Sequence, residues 1–150
     1  MELASVDKEN IDDLFSLNAK LAESENQRYL FTADRQSYAD AFLATTPACF
    51  GFLAYQDNQP IGFYIYNFKF ASYIASRVLY VEDLYLIDGF DTEENKKLLL
   101  QHAVSISQSE NCCRVEMRVL KEVNFGYGLI KSFGFSEIKK WDVYRLDLEP

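Results

Sequence analysis

The chain has 150 residues, of which 49% are hydrophobic and 25% are charged, and its formal net charge at pH 7 is -8. This length predicts one domain over residues 1–150 and leaves no room for a second domain of ordinary size. The negative charge disfavours phosphate backbones and anionic membrane surfaces, so we expect no nucleic acid and no membrane among the partners. A small amine or a basic peptide suits this charge better, although acidic composition also serves solubility alone.

The first half of the chain predicts a strand, two helices and a hairpin. Leu14, Leu17 and Leu21 lie on one stripe of the first helix, and Pro47 ends the second. Asp57-Asn-Gln-Pro60 is typical of a turn between two strands. The predicted elements are a strand at Glu2–Val6, a helix from Asp7 to about Ala22, a helix from Asp34 to about Thr45, and strands at Cys49–Gln56 and Ile61–Phe70.

The third predicted strand is apolar on both faces. Phe63 and Ile65 alternate with Tyr64 and Tyr66, and Phe68 and Phe70 continue the second face. Apolar residues on both faces indicate a central strand that is covered on each side. Two other interpretations stay open, an aromatic ligand groove and part of a homodimer surface.

The second half alternates strands with helices. A fourth strand is predicted at Arg77–Ile87, a helix from Thr92 to about Gln108, a strand at Cys113–Leu120, a helix at about Asn124–Ser132 and a last strand at Phe135–Leu148. Strands in succession followed by a helix–strand tail indicate an α+β, or mixed α/β, domain in which helices cover one sheet.

Few side chains suit metal or thiol chemistry. Cys49 stands alone, Cys112 and Cys113 are adjacent, and His102 is the only histidine. The pattern favours buried thiols in a reducing compartment over a disulfide or a metal site. Residues 1–7 lack the basic and apolar regions of a signal peptide, so we expect a cytoplasmic location.

Two adjacent carboxylates, Glu82 and Asp83, lie inside the otherwise apolar fourth strand. A charge in such a strand must be hydrogen-bonded, paired or used in chemistry. Strict alternation predicts that Glu82 points with Tyr80 and Leu84, and that only one of the two carboxylates faces a given cleft. Ion pairing with a nearby Arg or Lys is as good an explanation of Glu82 as function, and for Asp83 a structural role is favoured.

Three stretches carry a resemblance to a known family: Gln59-Pro-Ile-Gly-Phe63, Leu79-Tyr-Val-Glu-Asp-Leu-Tyr-Leu86 and Ser132-Phe-Gly-Phe135. In this order they resemble the GNAT superfamily of acetyl-CoA-dependent N-acetyltransferases, and the second stretch looks most like the diamine or polyamine acetyltransferases. The resemblance implies a twisted mixed sheet of six to seven strands, flanked by about four helices and splayed between strands 4 and 5. It also implies acetyl-CoA as the acetyl donor.

The resemblance assigns roles to particular residues. The backbone of Leu84, Tyr85 and Leu86 would hold the pantetheine arm of the donor. Glu82 would act as the catalytic base, with Glu82 and Asp83 binding the cationic substrate. Asn124 matches the family's helix-starting asparagine on the cofactor side. Tyr127 is the phenol closest to the position of the family's general acid, which here is Ile130.

One family motif is missing. Where the family has an arginine and a glycine-rich run for the pyrophosphate, this chain has Asp91-Thr-Glu-Glu-Asn-Lys96. Asp91, Glu93 and Glu94 favour the start of a helix but repel a diphosphate, and Asp91 and Glu94 have the spacing of a capping box. Lys96 is interpreted as part of a solvated helix face. The pyrophosphate loop is therefore degenerate, which weighs against ordinary acetyl-CoA binding.

Three functions are compatible with these residues. The first is an acetyl-CoA-dependent N-acetyltransferase that acts on a primary amine of a small cationic molecule or peptide. The second is a catalytically impaired binding or regulatory module that has lost normal acetyl-CoA binding. The third is a structural, oligomerising protein.

Overall fold

The computed structural model describes residues 1–121 and 125–149, which form a five-stranded sheet and four α-helices. The strands are β1 (Glu2–Ser5), β2 (Phe50–Gln56), β3 (Gln59–Ala71), β4 (Ser76–Leu86) and β5 (Arg114–Met117). The helices are α1 (Ile11–Ser24), α2 (Arg35–Phe42), α3 (Glu93–Ser109) and α4 (Tyr127–Ser132), with 3₁₀ turns at Arg28–Leu30 and Ser72–Ile74.

The strands lie in the sheet in the order in which they occur in the chain. β1, β2, β3 and β4 pair antiparallel, and β4 and β5 pair parallel because α3 crosses over between them. Asp57 and Asn58 both have positive φ, 50° and 62°, as a two-residue hairpin turn requires. The predicted α+β class with a mixed sheet is confirmed.

Helices cover both faces of the sheet. On one face α3 packs Leu99 and Ala103 against Tyr64 and Leu79, all four of which are fully buried. On the other face α1 packs Leu14, Leu17 and Leu21 against Leu53, Phe63 and Ile65. The central part of β3 is therefore covered on both sides, as its two apolar faces predict.

Gly62 allows β3 and β4 to approach closely at the end of the sheet that bears the site. A Cβ atom at this position would lie 2.5 Å from the carbonyl oxygen of Tyr85 and 2.7 Å from Leu86 Cδ2. Just beyond this contact, the Ile87 N–H donates to the Ile61 carbonyl at 2.9 Å. The absence of a side chain at Gly62 thus sets the position of the last residues of β4.

The sheet has fewer strands than the six to seven expected. The prediction of a last strand at Phe135–Leu148 is wrong, because residues 136–149 have no backbone partner in the described structure. A strand exists only where a neighbour completes its hydrogen bonds. Among the described residues, no helix is long and apolar enough to cross a membrane.

Candidate active site

A β-bulge interrupts β4 at Glu82. The register pairs Ile65 with Asp83 and Tyr66 with Val81, so Glu82 has no residue opposite it on β3. A bulge bends its strand and changes the direction of the side chains that follow, and such irregularities are common beside active sites.

The bulge brings both carboxylates to one cleft. Val81 and Leu84 both pack in the cluster on the α3 side, although strict alternation places residues three apart on opposite faces. Asp83 lies on the other side, near Asn18 of α1, whose amide acts to lower the pKa of the Asp83 carboxyl. Glu82 and Asp83 line the same cleft. The predictions that Glu82 points with Leu84 and that only one carboxylate faces the cleft are therefore wrong, because the inserted residue shifts the alternation.

The cleft lies where β4 and β5 separate. The two strands pair from Val78 and Arg114 to Val81 and Met117, and the described pairing stops there. Beyond this point, residues 82–86 of β4 and 118–120 after β5 line opposite walls of a cleft of about 610 Å³. The predicted splay between strands 4 and 5 is confirmed. It leaves one edge of β4 without a strand partner in the described part of the chain.

Arg118 pairs with the first carboxylate. Its Nη2 lies 2.6 Å from Glu82 Oε1, and its Nε donates to the Glu82 carbonyl at 3.4 Å. The ion-pair interpretation of Glu82 is thus realised in the structure. The guanidinium therefore already occupies one oxygen of the Glu82 carboxylate with a charge-assisted hydrogen bond.

Asp83 is the carboxylate that titrates near neutral pH. Its pKa is raised to about 6, and burial is the largest cause. The Arg118 charge acts in the opposite direction, the negative charges of Glu82 and Glu25 add to the rise, and the Asn18 amide lowers the pKa slightly. Asn18 donates to the Tyr38 hydroxyl at 2.7 Å, which connects the amide near Asp83 to α2. A partly buried acid with a pKa of about 6 suits a general base.

Glu25 adds a third carboxylate to this end of the cleft. It follows the last residue of α1, and burial raises its pKa. A smaller hollow of about 140 Å³ continues from here and is lined by Asn18, Gln27 and Phe31, together with Asp83. We call this part of the cleft the acidic end and define it by Glu25, Glu82, Asp83 and Arg118. Its three carboxylates outnumber its one guanidinium, so it attracts cations.

The other end of the cleft is formed by the start of α3. Thr92 caps the helix, and its Oγ1 accepts the N–H of Asn95 at 3.2 Å, so the capping spacing predicted for Asp91 and Glu94 is displaced by one residue. Lys96 is 9% exposed, lines the cleft and lies 2.9 Å from Asp91 Oδ1. The solvated position expected for Lys96 is wrong, because the first turn of α3 directs it inward over the Phe125 ring.

The structure places the other predicted site residues as follows. Leu84, Tyr85 and Leu86 line the cleft. Tyr127 is the first residue of α4, is 51% exposed and does not line the cleft. Tyr85 is the tyrosine that lines the cleft. Asn124 lies outside the described residues.

Sequence reasoning missed Arg118, Glu25 and Lys96 as members of the site. One signal in the sequence could have found Arg118. A carboxylate such as Glu82 inside an apolar strand needs a cationic partner, and an Arg or Lys on a neighbouring strand can provide it. No local pattern marks Glu25, because it joins the site only through the packing of the end of α1 beside β4.

Scans against protein-family models and curated proteins find no match. Among solved structures, a probable acetyltransferase has a TM-score of 0.78 at 22% identity, covering 100% of this chain and 99% of that one. A ribosomal-protein-alanine N-acetyltransferase from Brucella melitensis biovar Abortus 2308 has a TM-score of 0.76 at 15% identity, covering 99% and 100%. This chain has the GNAT fold.

A third GNAT-fold structure is an aminoglycoside acetyltransferase from an uncultured soil metagenomic sample, in complex with sisomicin. It has a TM-score of 0.81 at 11% identity, and the match covers 99% of this chain and 96% of that one. These likenesses extend over essentially the whole described chain and establish its fold.

The residues around the cleft suit the thioester arm of acetyl-CoA but not its diphosphate. The splayed edge of β4 fits an extended thioester arm. The start of α3 does not fit the diphosphate, because Asp91, Glu93 and Glu94 place three carboxylates there. The one cleft-lining lysine of this turn already pairs with Asp91.

Proposed function

We propose that this chain is an N-acetyltransferase that transfers an acetyl group from acetyl-CoA to a primary amine of a small cationic molecule or basic peptide. The observation that carries the proposal is Asp83, a carboxyl of pKa about 6 that lines the splay between β4 and β5. The acceptor amine enters at the acidic end of the cleft, and the thioester arm of the donor lies along Leu84, Tyr85 and Leu86.

The acidic end has two tasks. An alkylamine with a pKa of about 10 is almost wholly protonated at pH 7, so a site that selects it must first bind a cation. Asp83 and Glu25 supply that negative field, because the Glu82–Arg118 ion pair beside them has no net charge. Asp83 then accepts one proton from the ammonium group, which frees the nitrogen lone pair to attack the acetyl carbon. As the new C–N bond forms and the bond between the acetyl carbon and sulfur breaks, the second proton that the nitrogen loses is taken by the leaving thiolate, so that the products are the amide and the free thiol.

This assignment moves the base from Glu82 to Asp83. Glu82 forms a 2.6 Å ion pair with Arg118, whereas Asp83 has the raised pKa. We propose that Glu82 and Arg118 are positioning residues whose charges set the pKa of Asp83 and orient the incoming amine. Tyr127 and Asn124 keep the roles expected of them from the family resemblance as proposals only.

The test is acetylation of a panel of amines: a polyamine, an aminoglycoside and a peptide with a free N-terminal alanine. Mass spectrometry should detect an acetylated product with at least one of them, and the product should be lost with Asp83→Asn. The absence of product from every amine, together with no calorimetric signal at millimolar acetyl-CoA, would overturn the proposal.

The second candidate is a binding module that keeps the cleft and has lost normal acetyl-CoA binding. The Asp91–Lys96 pair at 2.9 Å and the acids around it favour this candidate, because they occupy the place of a diphosphate cradle. Tight binding of a cationic amine without any acetylated product would support it over the enzyme.

A further inference from the structure

The turn that leads into α3 uses its own backbone donors. The N–H of Phe90 donates to the Ile87 carbonyl at 3.0 Å, and the N–H of Thr92 donates to the Phe90 carbonyl at 2.8 Å. The N–H of Asn95 donates to Thr92 Oγ1 at 3.2 Å. A helix start binds a phosphate through backbone N–H groups that point at the ligand. Three such groups between residues 90 and 95 are therefore already used within the turn.

Carboxylates also dominate the walls of the cleft at this end. Asp88 and Asp91 both line the cleft beside Tyr85. Burial raises the pKa of the Tyr85 phenol, and the charges of Asp88 and Asp91 add to the rise, so these charges act inside the cleft. Together with the acidic end, five carboxylates line the cleft in the described residues: Glu25, Glu82, Asp83, Asp88 and Asp91.

The cations of the cleft already have anionic partners. Three cations line it in the part of the chain that the structure describes, and each forms an ion pair with a carboxylate. The pairs are Lys96 with Asp91 at 2.9 Å, Arg118 with Glu82 at 2.6 Å and Arg145 with Asp147 at 3.1 Å. A cation that binds a phosphate would first have to leave its carboxylate, and this exchange offsets much of the gain. The nucleotide half of acetyl-CoA, with its diphosphate and 3′-phosphate, therefore meets net repulsion.

The pantetheine arm of a thioester is uncharged and meets no such repulsion. Leu84, Leu86 and Met117 line the cleft and offer it apolar contacts. Beyond Val81, the β5 side of β4 has no strand partner in the described residues. The two amides of an extended arm can pair with such an open strand edge. The cleft thus has the means to recognise the arm without the nucleotide.

We propose that the donor site recognises only the pantetheine arm and disfavours the nucleotide, so that the preferred donor is an acetyl thioester of pantetheine without a nucleotide diphosphate. This inference rests on the proposed function and names the chemical class of its donor. Acetyl-CoA remains a usable donor that is held by its arm alone, and its nucleotide lowers the affinity. The same arm occurs free or joined through a single phosphate to a carrier protein.

The first test is calorimetry of the wild type without an amine, with S-acetylpantetheine and acetyl-CoA as ligands. Salt is varied from about 10 mM to about 150 mM, over which the Debye length falls from about 30 to about 8 Å. At low salt S-acetylpantetheine should bind about three- to tenfold more tightly than acetyl-CoA. Screening should raise the affinity for acetyl-CoA and leave that for the uncharged ligand constant. Acetyl-CoA that binds as tightly as S-acetylpantetheine or more tightly, or that weakens as salt rises, would overturn the inference.

The second test removes the carboxylates at the α3 end. Asp88→Asn/Asp91→Asn should tighten acetyl-CoA binding on the order of tenfold at low salt and leave S-acetylpantetheine binding unchanged. The matched control Glu9→Gln/Asp40→Asn makes the same change in net charge at two exposed positions that do not line the cleft, and it should change neither affinity. Circular dichroism checks folding. Equal effects of the two pairs, or an unchanged affinity of Asp88→Asn/Asp91→Asn for acetyl-CoA, would contradict the inference.

A third ligand, S-acetyl-4′-phosphopantetheine, distinguishes the two sources of the arm. Its single phosphate represents the link to a carrier protein. Binding as tight as that of S-acetylpantetheine supports a donor on a carrier, and weaker binding supports a free thioester; both agree with exclusion of the diphosphate. Binding of none of the three thioesters would overturn this inference together with the proposed function, whereas tighter binding of acetyl-CoA would overturn this inference alone.

Discussion

Arg118 lies 2.6 Å from Glu82, the carboxylate beside Asp83, and so distinguishes two adjacent acids that look equivalent in sequence. The guanidinium engages the Glu82 carboxylate and does not pair with Asp83. The Asp83 carboxyl has a pKa of about 6, because burial, together with the charges of Glu82 and Glu25, outweighs the lowering effect of Arg118. Two adjacent carboxylates in different environments can take separate roles, one in binding and one in proton transfer.

The first prediction concerns proton transfer by Asp83. Asp83→Asn should lower kcat/KM by about 10²- to 10⁴-fold, the usual contribution of a general base. In the wild type, kcat/KM should rise with pH through about 6 as Asp83 loses its proton. Steady-state rates across a pH series measure both. A wild-type profile without a limb near pH 6, or an Asp83→Asn variant with full activity, would remove Asp83 as the base.

The second prediction concerns stability. The pKa of Asp83 is raised by folding from 3.8 to about 6, so the folded state binds more protons than the unfolded state between these values. The free energy of unfolding therefore falls as pH rises through this window, and at neutral pH ionised Asp83 costs on the order of 3 kcal/mol. Asp83→Asn should raise Tm at pH 7.5 and have little effect near pH 4. If Asp83→Asn and the wild type had the same Tm at pH 7.5 as well as near pH 4, this account would be contradicted.

The third prediction concerns Arg118. Because its charge lowers the pKa of Asp83, Arg118→Gln should move the acidic limb of the pH–rate profile to higher pH. The variant also leaves Glu82 without its partner, so the profile should shift together with a change in KM for the amine. Arg114→Gln is the matched control, since Arg114 pairs with Glu116 at 2.9 Å and does not line the cleft. Identical profiles for the two variants would exclude the proposed role of Arg118.

The fourth prediction concerns the α3 end of the cleft. Asp91→Asn removes the carboxylate that lies 2.9 Å from the buried Lys96 ammonium, and so it leaves that cation free for a phosphate. Calorimetry should show tighter binding of acetyl-CoA, by about three- to tenfold if one charge-assisted hydrogen bond is gained. Asp40→Asn, on the exposed side of α2, is the control and should leave the affinity unchanged. Weaker binding by Asp91→Asn would show that the acid itself contacts the ligand.

The fifth prediction concerns the approach of β3 to β4. Gly62→Ala should lower the free energy of unfolding by about 1–3 kcal/mol, because its Cβ would meet the Tyr85 carbonyl at 2.5 Å. Gly128→Ala is the matched control, because a Cβ there meets nothing within 4 Å and lies in α4. It should stabilise the chain by up to about 1 kcal/mol. Chemical denaturation measures both changes, and a neutral Gly62→Ala would show that the strands can separate at this point.

The sequence by itself determined the fold class and the neighbourhood of the site. Phe63 to Tyr66 alternate strictly, so their two buried faces follow from a repeat of two residues, and the Glu82-Asp83 pair stands out because charges are rare in apolar strands. These are local signals, which depend only on residues close together in the chain. They indicated the covered central strand and the candidate carboxylates, whereas the splay between strands 4 and 5 was expected only from the family resemblance.

Only the tertiary structure decided which residue of the cleft takes which role. The bulge at Glu82 depends on the register against β3, the ion pair depends on Arg118 arriving from β5, and Glu25 arrives from the end of α1. The pKa of Asp83 is set by burial together with the charges of Arg118, Glu82 and Glu25. It could not be read from the strand alone, because electrostatic energies depend on distance in space and on solvent exclusion, and both arise only when the elements pack.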